Sequence, residues 1–442
     1  MNLWTRRLIY LTFTVIFLVI VPFLIYYALG YRYNFTKRRL EKTGVIYIKS
    51  YPRHAEIYLN NELYYEKTPT QINRLLANNY QIKIIKDGYF PWSKTLPVFP
   101  QTTTFIEDVT LFKNQLKFVP LSLTEYQQLA ASPDITKVIL LEKRLSDNIL
   151  HLYNLLNNED KVVYQSPSKL AVDSWCPNSN KVIVKKNLDY LILNAESLTV
   201  TSFYDLFKRN FEQVKCDYYN DNIIYGLKDG YLYQLDLLAK KFTLLLNERV
   251  ITFLPWRTQL IYLTSINNKY YLKSFFNQKS ESILILPWSS HYQFYPSAGK
   301  EFALLDQDEA QAYLINPDDN QPLQRVLKNI IALKWYDKQM IYWNDFELLV
   351  YYPESNETIL LERTSLPIQN AFWHPAYVYA FGQINNLLKI YELDSRDQRN
   401  IYELMSISDL TKDNIFINKK GDTLYLITTV DNQTGFYKIE IQ

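Results

Sequence analysis

The chain of 442 residues sets 48 Lys and Arg against 45 Asp and Glu, a net charge of +3; that balance argues against a nucleic-acid surface, whose mark is a concentrated basic patch. Its length exceeds one small domain, so two or more folded units are expected. Nine glycines leave little material for phosphate-binding loops, and Cys176 and Cys216 can form neither a disulfide framework nor, without His or Cys neighbours, a metal site.

Residues 1–7 form a short tail made basic by Arg6 and Arg7. From Leu8 to Leu29 the chain reads LIYLTFTVIFLVIVPFLIYYAL without a charge. At ~1.5 Å per residue this run spans the ~30 Å hydrocarbon core of a bilayer, and a lone spanning segment can only be a helix. Phe17 lies near its middle and Pro22 is placed to kink it. A soluble helix would show a polar face, which Thr12 and Thr14 alone do not make. A cleaved signal peptide is the competing reading, because Ala28-Leu29-Gly30 loosely resembles a small-x-small cleavage site; the apolar run exceeds the usual ~7 to 15 residues, which favours an uncleaved signal anchor. The lipid bilayer is thus the first expected partner.

Residues 30–43 read as a basic juxtamembrane linker with Arg32, Lys37, Arg38, Arg39 and Lys42. The positive-inside rule would keep the body on the carboxyl side of the helix in the cytoplasm. A short basic start before a hydrophobic run is what export machinery reads, and the expectation is an extracytoplasmic body on a single-pass anchor.

From Gly44 the pattern changes to short alternating runs, GVIYIKS, AEIYLNN, YQIKIIKDGY, FPWSKTLPVF and TTTFIEDVTLF, broken by turn residues at Pro52 to His54, Asn60-Asn61, Thr68-Pro69, Asn78-Asn79 and Asp87-Gly88. A compact antiparallel β-sandwich over 44–113 is expected. The run Pro52-Arg53-His54-Ala55, then Thr68-Pro69 and Gly88-Tyr89, resembles the PEGA domain family in residue order and spacing. The second and third positions of the name-giving tetrapeptide depart, so the turn lacks the usual glycine. The resemblance implies a small, non-enzymatic β module of prokaryotic surface and envelope proteins, which supports export.

Residues 114–442 repeat every ~40 residues, the period of propeller blades. Aromatic anchors recur at Trp175, Trp256, Tyr295, Trp335, Trp373 and Phe416, each followed by an apolar strand, a polar turn and a second strand. A β-propeller of eight blades is expected, with seven as the alternative count, and the segment Leu116 to Ser122 is placed to supply the outer strand that the last unit lacks. The architecture is similar to WD40-like and TolB-type propellers, although the glycine-histidine and Trp-Asp signatures of WD40 repeats are missing. The fold class is therefore all-β behind one transmembrane helix.

No nucleophile elbow, Walker loop, zinc-protease motif or dinucleotide fingerprint occurs. His54, His151, His291 and His374 are far apart and read as loop or surface residues. Acid clusters at Asp306, Asp308 and Glu309 and at Asp318-Asp319 read as solvated turns, since they lack the glycine and terminal glutamate of a calcium loop. Cys176 and Cys216 hold like positions in neighbouring repeats; two separate buried thiols are expected in preference to a disulfide. No catalytic, cofactor or metal residue is assigned. The expected function is a membrane-anchored, non-enzymatic envelope protein whose propeller is a platform for an envelope protein or cell-wall glycan, with no nucleic acid; the alternative is an envelope hydrolase with its active site at the propeller mouth.

Overall fold

The computed structural model describes residues 3–35, 37–267, 269–407 and 414–442. The chain divides into a small unit, which runs to Leu116 and includes Glu392–Tyr402 and Ile441–Gln442, and a large unit of Lys117–Tyr391 and Glu403–Glu440.

The small unit opens with α1, Leu3–Ala28, an apolar helix that buries none of its side chains in protein and is long and apolar enough to cross a membrane. The helix takes in Arg6 and Arg7, so the sequence-based tail is its first turns. Thr12 and Thr14 donate to the carbonyls of Leu8 and Tyr10 at 2.9 and 2.8 Å, which spends both hydroxyls on the helix itself and leaves no polar face. Leu29 lies just past the last turn, and Gly30 at φ 83° ends the helix in the left-handed conformation glycine favours.

The linker expected at 30–43 is instead a hairpin: β1, Tyr31–Asn34, pairs antiparallel with the start of β2, Arg39–Tyr51. Two of its basic residues, Lys37 and Arg39, are engaged there. Glu41 pairs with Lys37 at 3.3 Å and Arg39 at 2.7 Å and accepts from Asn34 at 2.8 Å, and the Asn34 bond, then Arg39, bring its carboxyl down to about 2.

β3 (Glu56–Leu59), β4 (Glu62–Lys67), β5 (Thr70–Leu76), β6 (Asn78–Ile85), β7 (Trp92–Val98) and β8 (Thr103–Thr110) complete two four-stranded sheets. In one, β2 has antiparallel neighbours β1 and β5; the other runs β4-β3-β6-β7. Alternate residues Ile46 and Ile48 of β2, Ile57 of β3, and Ile82 and Ile84 of β6 are fully buried between the sheets, as a period of two requires. The sandwich is not wholly antiparallel, because β8 runs parallel to β2. Adjacent strands in sequence favour hairpins, and β8 reaches β2 only after the chain has built the other sheet.

The small unit also takes in Glu392–Tyr402, which the sequence reading assigned to the propeller. Trp92 and Lys94 of β7 explain this. The Trp92 indole donates to Glu392 at 2.8 Å, and Lys94, with a side chain 0% exposed, pairs with Glu392 at 3.2 Å and donates to the carbonyl of Asp394 at 2.8 Å. Phe90 and Phe112 pack on Tyr402 with ring centres 5.4 and 5.9 Å away.

After Leu116, eight four-stranded antiparallel sheets follow one another among the described residues, all in the large unit except Glu392, Ile401 and Tyr402 of the seventh. The first seven span 126–166, 170–202, 213–244, 250–286, 292–328, 332–363 and 368–406; the eighth combines 415–440 with β9, Phe118–Ser122. The first strands of most successive sheets touch one another, so they are innermost. Closure comes from two sources. β9 pairs antiparallel with the strand Gln433–Glu440 and forms the outer edge of the last sheet, and Tyr126, Leu129, Val138 and Tyr153 of the first sheet share a core with Ile427 and Phe436 of the eighth. A closed ring protects strand edges that would otherwise stand open.

Candidate binding face of the propeller

In a four-stranded antiparallel meander the turns joining strands one to two and three to four lie at one end. The turn joining two to three lies at the other end, together with the link to the next sheet. All links between sheets therefore share one face, which opens on the channel lined by the first strands.

That face has a cavity of about 400 Å³ at its mouth, walled by Asp173, Lys215, Thr252, His291, Gln293 and Gln307 among others. Lys215, from the first strand of the third sheet, donates to the carbonyl of Phe253 at 2.7 Å and lies 5.6 and 5.8 Å from the ring centres of Phe253 and Phe294. Solvent reaches it through the mouth, but protein surrounds it on most sides. Burial pushes its ammonium down to about 8, against the opposing charge of Asp173. Asp173 shifts the other way: burial raises it, and the Ser174 hydroxyl at 3.0 Å with the charges of Lys215 and Lys185 only partly offsets that. The mouth thus holds an amine that exchanges its proton near neutral pH, beside amide and hydroxyl groups suited to hydrogen bonding.

Exposed apolar side chains stand on the same face: Trp288 and Ile331 on links between sheets, Leu188 and Phe346 on second-to-third turns, and Leu366 on the link after the sixth sheet. The polar mouth and these exposed apolar side chains thus share one face.

Ser290, His291 and Asp308 also meet here, and their geometry is not that of a nucleophilic relay. The Ser290 hydroxyl is 2.7 Å and Asp308 3.1 Å from the same ring nitrogen, His291 Nδ1, whereas a relay needs serine and carboxylate on opposite nitrogens. Asp308 serves the turn: it accepts from the Ser290 backbone and hydroxyl, both at 2.6 Å, and these bonds hold its carboxyl well below the usual range. Asp306 likewise accepts from Ser289 and from the backbone of Asp308 and Glu309. No group of three or more His, Cys, Asp or Glu placed to hold a metal occurs among the described residues.

The other expected residues are structural. Trp175, Trp256, Tyr295, Trp335, Trp373 and Phe416 each lie on the first strand of their sheet. Trp175 donates to Ala130 of the first sheet at 2.9 Å and Trp256 to Ser297 of the fifth at 3.3 Å, so both indoles bridge neighbouring sheets. His374 is buried, its Nε2 3.0 Å from the Gly421 carbonyl, and burial depresses it to about 4. Gly421, at φ 80°, would drive any Cβ into that imidazole. His151 is clasped between Glu142 at 3.1 Å and Asp160 at 3.1 Å.

The expectation for the cysteines is overturned: Cys176 and Cys216 form a disulfide with Cα atoms 5.5 Å apart. A separation of 40 residues puts them at like positions on adjacent sheets, within the span a disulfide bridges.

In the small unit, Thr68 organises the Pro52-Arg53-His54-Ala55 turn. Its hydroxyl accepts from the Ala55 backbone at 3.0 Å and lies 2.6 Å from the Ser50 hydroxyl, and its carbonyl accepts from His54 at 2.7 Å. His54 sits at φ 61°, the conformation in which a glycine costs least. Gly88 takes φ 78° and Tyr89 bridges to Lys113.

Lys215 and Asp173 were missed in the sequence because no motif marks them. The signal available was the repeat itself: aligned on the anchors, both are polar residues on strands that a propeller places innermost.

Residues 43–114 match the PEGA domain family. They are the PEGA domain of this chain. No curated protein sequence matches the chain significantly. Among solved structures it is similar to the C-terminal WD40 domain of Sif2, with 11% identity, 74% of this chain and 98% of that one covered, and a TM-score of 0.50. The Dos1 propeller gives 10% identity, coverage of 75% and 95%, and a TM-score of 0.50; a eukaryotic initiation factor gives 11%, 72% and 85%, and 0.52. At such identity these likenesses establish the β-propeller fold of the large unit and nothing about its ligand.

Proposed function

We propose that this chain is a membrane-anchored, non-enzymatic binding platform: α1 tethers it, the PEGA domain is a stalk or adaptor, and the propeller presents its mouth and rim to a protein or glycan outside the cytoplasm. The observation that carries this reading is the rim, where Trp288, Ile331, Phe346 and Leu366 stand exposed around a polar mouth. Exposed hydrophobics also stand at the other end of the sheets, Leu156, Tyr219 and Leu238 among them; what favours the link face is that its set shares that face with the polar mouth. The tether is supported by a helix whose apolar side chains no protein covers. Placement outside the cytoplasm is supported by the PEGA match and by the Cys176–Cys216 bond, since disulfides persist in oxidising compartments.

Two measurements on intact cells test it. Protease added outside is expected to cut the propeller, and full protection sinks the placement. Photo-crosslinkers at Trp288 and Leu366 are expected to capture one discrete partner that a crosslinker at Leu238, on a third-to-fourth turn at the opposite end of its sheet, does not; equal capture at all three sinks the rim as the binding face.

A further inference from the structure

A second cavity, of about 420 Å³, lies at the other end of the sheets, between the fifth and sixth, where the first-to-second turn Ser297–Glu301 meets Trp335, Lys338 and Pro353. This turn is fixed on both sides. Arg257 of the fourth sheet donates to the carbonyls of Ala298 and Gly299, the Trp256 indole donates to Ser297, and the Ala298 backbone donates to Asp337 of the sixth sheet at 3.2 Å. The walls are therefore built in advance of any ligand.

Two buried polar atoms on residues lining this cavity have no hydrogen-bond partner: Glu301 Oε2, an acceptor, and the Trp335 Nε1–H, a donor. Comparison across the repeats makes the second informative. At the same repeat position, the indoles of Trp175 and Trp256 donate to backbone carbonyls of adjacent sheets. Trp373 Nε1 is also without a partner, but it does not line this space. A buried polar atom without a hydrogen bond keeps its desolvation cost uncompensated, so a ligand that satisfies both atoms gains from each.

The charges around the cavity narrow its chemistry. Lys338 is paired with Glu354 at 3.4 Å, so Arg257 and Lys300 oppose a cationic ligand while Glu301, whose pKa burial raises, gives an anionic one no welcome. A neutral hydroxyl both donates to a carboxylate and accepts from an indole N–H, and Trp335 and Pro353 supply an apolar wall for C–H groups. We infer that this cavity is a saccharide subsite, in which Glu301 accepts from and Trp335 donates to hydroxyl groups of a neutral sugar. It is separate from the mouth and does not depend on the rim being a binding face.

The test uses the full chain in a polyoxyethylene detergent, so that no sugar headgroup competes, and follows tryptophan fluorescence and calorimetry on titration with N-acetylglucosamine and chitotriose. Saturable binding is expected. Trp335→Phe, which keeps a ring and removes the N–H, and the near-isosteric Glu301→Gln are each expected to weaken it about tenfold, with unchanged melting temperatures, while Lys215→Met at the mouth leaves it unchanged. Absence of saturable binding up to ~50 mM, an affinity below the weakest worth assigning to a site, overturns the inference, as does binding that both cavity variants leave intact. Saturable binding of arginine methyl ester in place of the sugars, abolished by Glu301→Gln, also overturns it, because the site then recognises a cation.

Discussion

Glu392→Gln strips the counter-charge from a buried lysine of the small unit. The Lys94 and Glu392 side chains are 0% and 4% exposed and 3.2 Å apart; at an effective dielectric of ~20 their attraction is about 5 kcal/mol. Glu392 also accepts from the Trp92 indole at 2.8 Å and from the Asn400 side chain at 2.7 Å. Glutamine keeps the shape but only one acceptor oxygen, whereas Trp92 uses Oε1 and Asn400 uses Oε2, so one of these bonds is lost; the Lys94 ammonium, which also donates to the carbonyls of Asp394 and Gln398, is left buried without a counter-charge. Breaking a buried pair from one side costs about 3–5 kcal/mol, whereas replacing both charges is often close to neutral. Lys94→Met with Glu392→Gln should therefore be more stable than Glu392→Gln alone. The assay is a double-mutant cycle on the full chain by calorimetry and urea titration, reading the transition of the small unit, with proteolysis within 392–402 as a local readout. The expected coupling is at least about 2 kcal/mol; single-mutant effects that add within about 0.5 kcal/mol refute the reasoning.

Reducing the Cys176–Cys216 bond, or replacing both residues by serine, releases a 40-residue loop, and chain entropy predicts a loss of up to about 4 kcal/mol from the propeller transition; an unchanged melting temperature after confirmed reduction refutes the constraint. His54→Gly should stabilise the PEGA domain by about 0.5–1 kcal/mol, because relief of φ 61° outweighs the greater freedom of the unfolded glycine; a lower denaturant midpoint refutes this. For His151, burial opposes protonation, but Asp160 and Glu142 together raise its pKa above 6.5. Its contribution to stability is complete below that value and is lost as pH rises through the raised folded value. His151→Gln should remove this fall from the stability-versus-pH curve, and a slope that persists counts against the clasp. Lys215, at about 8, should acylate at pH 8 roughly a hundredfold ahead of ordinary lysines in free-amine fraction; peptide mapping that finds it no faster than surface lysines removes it as the reactive group of the mouth.

What the sequence made legible was whatever recurred or was continuous. The apolar run of α1 needs no partner to be recognised, and the anchors from Trp175 to Phe416 announce the propeller because each sheet solves the same packing problem with an aromatic on its innermost strand. β9 was readable for a related reason: the last unit ended one strand short, and a ring must protect its edges. The disulfide was within reach of the same logic, since one repeat period between Cys176 and Cys216 means adjacent sheets, but period alone fixes neither the Cα separation nor the direction of the Cβ atoms.

The losses fall where a residue's meaning depends on a partner that no local pattern specifies. Lys94 and Glu392 are about 300 residues apart, and each read alone is an ordinary strand charge; only the fold makes them a buried pair and assigns 392–402 to the small unit. The basic stretch after the helix reads as a linker, and only the hairpin brings Glu41 to Lys37 and Arg39. The same dependence separates Trp335 from Trp175. The two tryptophans are equivalent in sequence, and the difference between a satisfied bridge and an unsatisfied donor beside Glu301 arises from the carbonyl that the neighbouring sheet does or does not present. In a repeat protein the period therefore locates the scaffold, and the departures from equivalence among its repeats are where sites are to be sought.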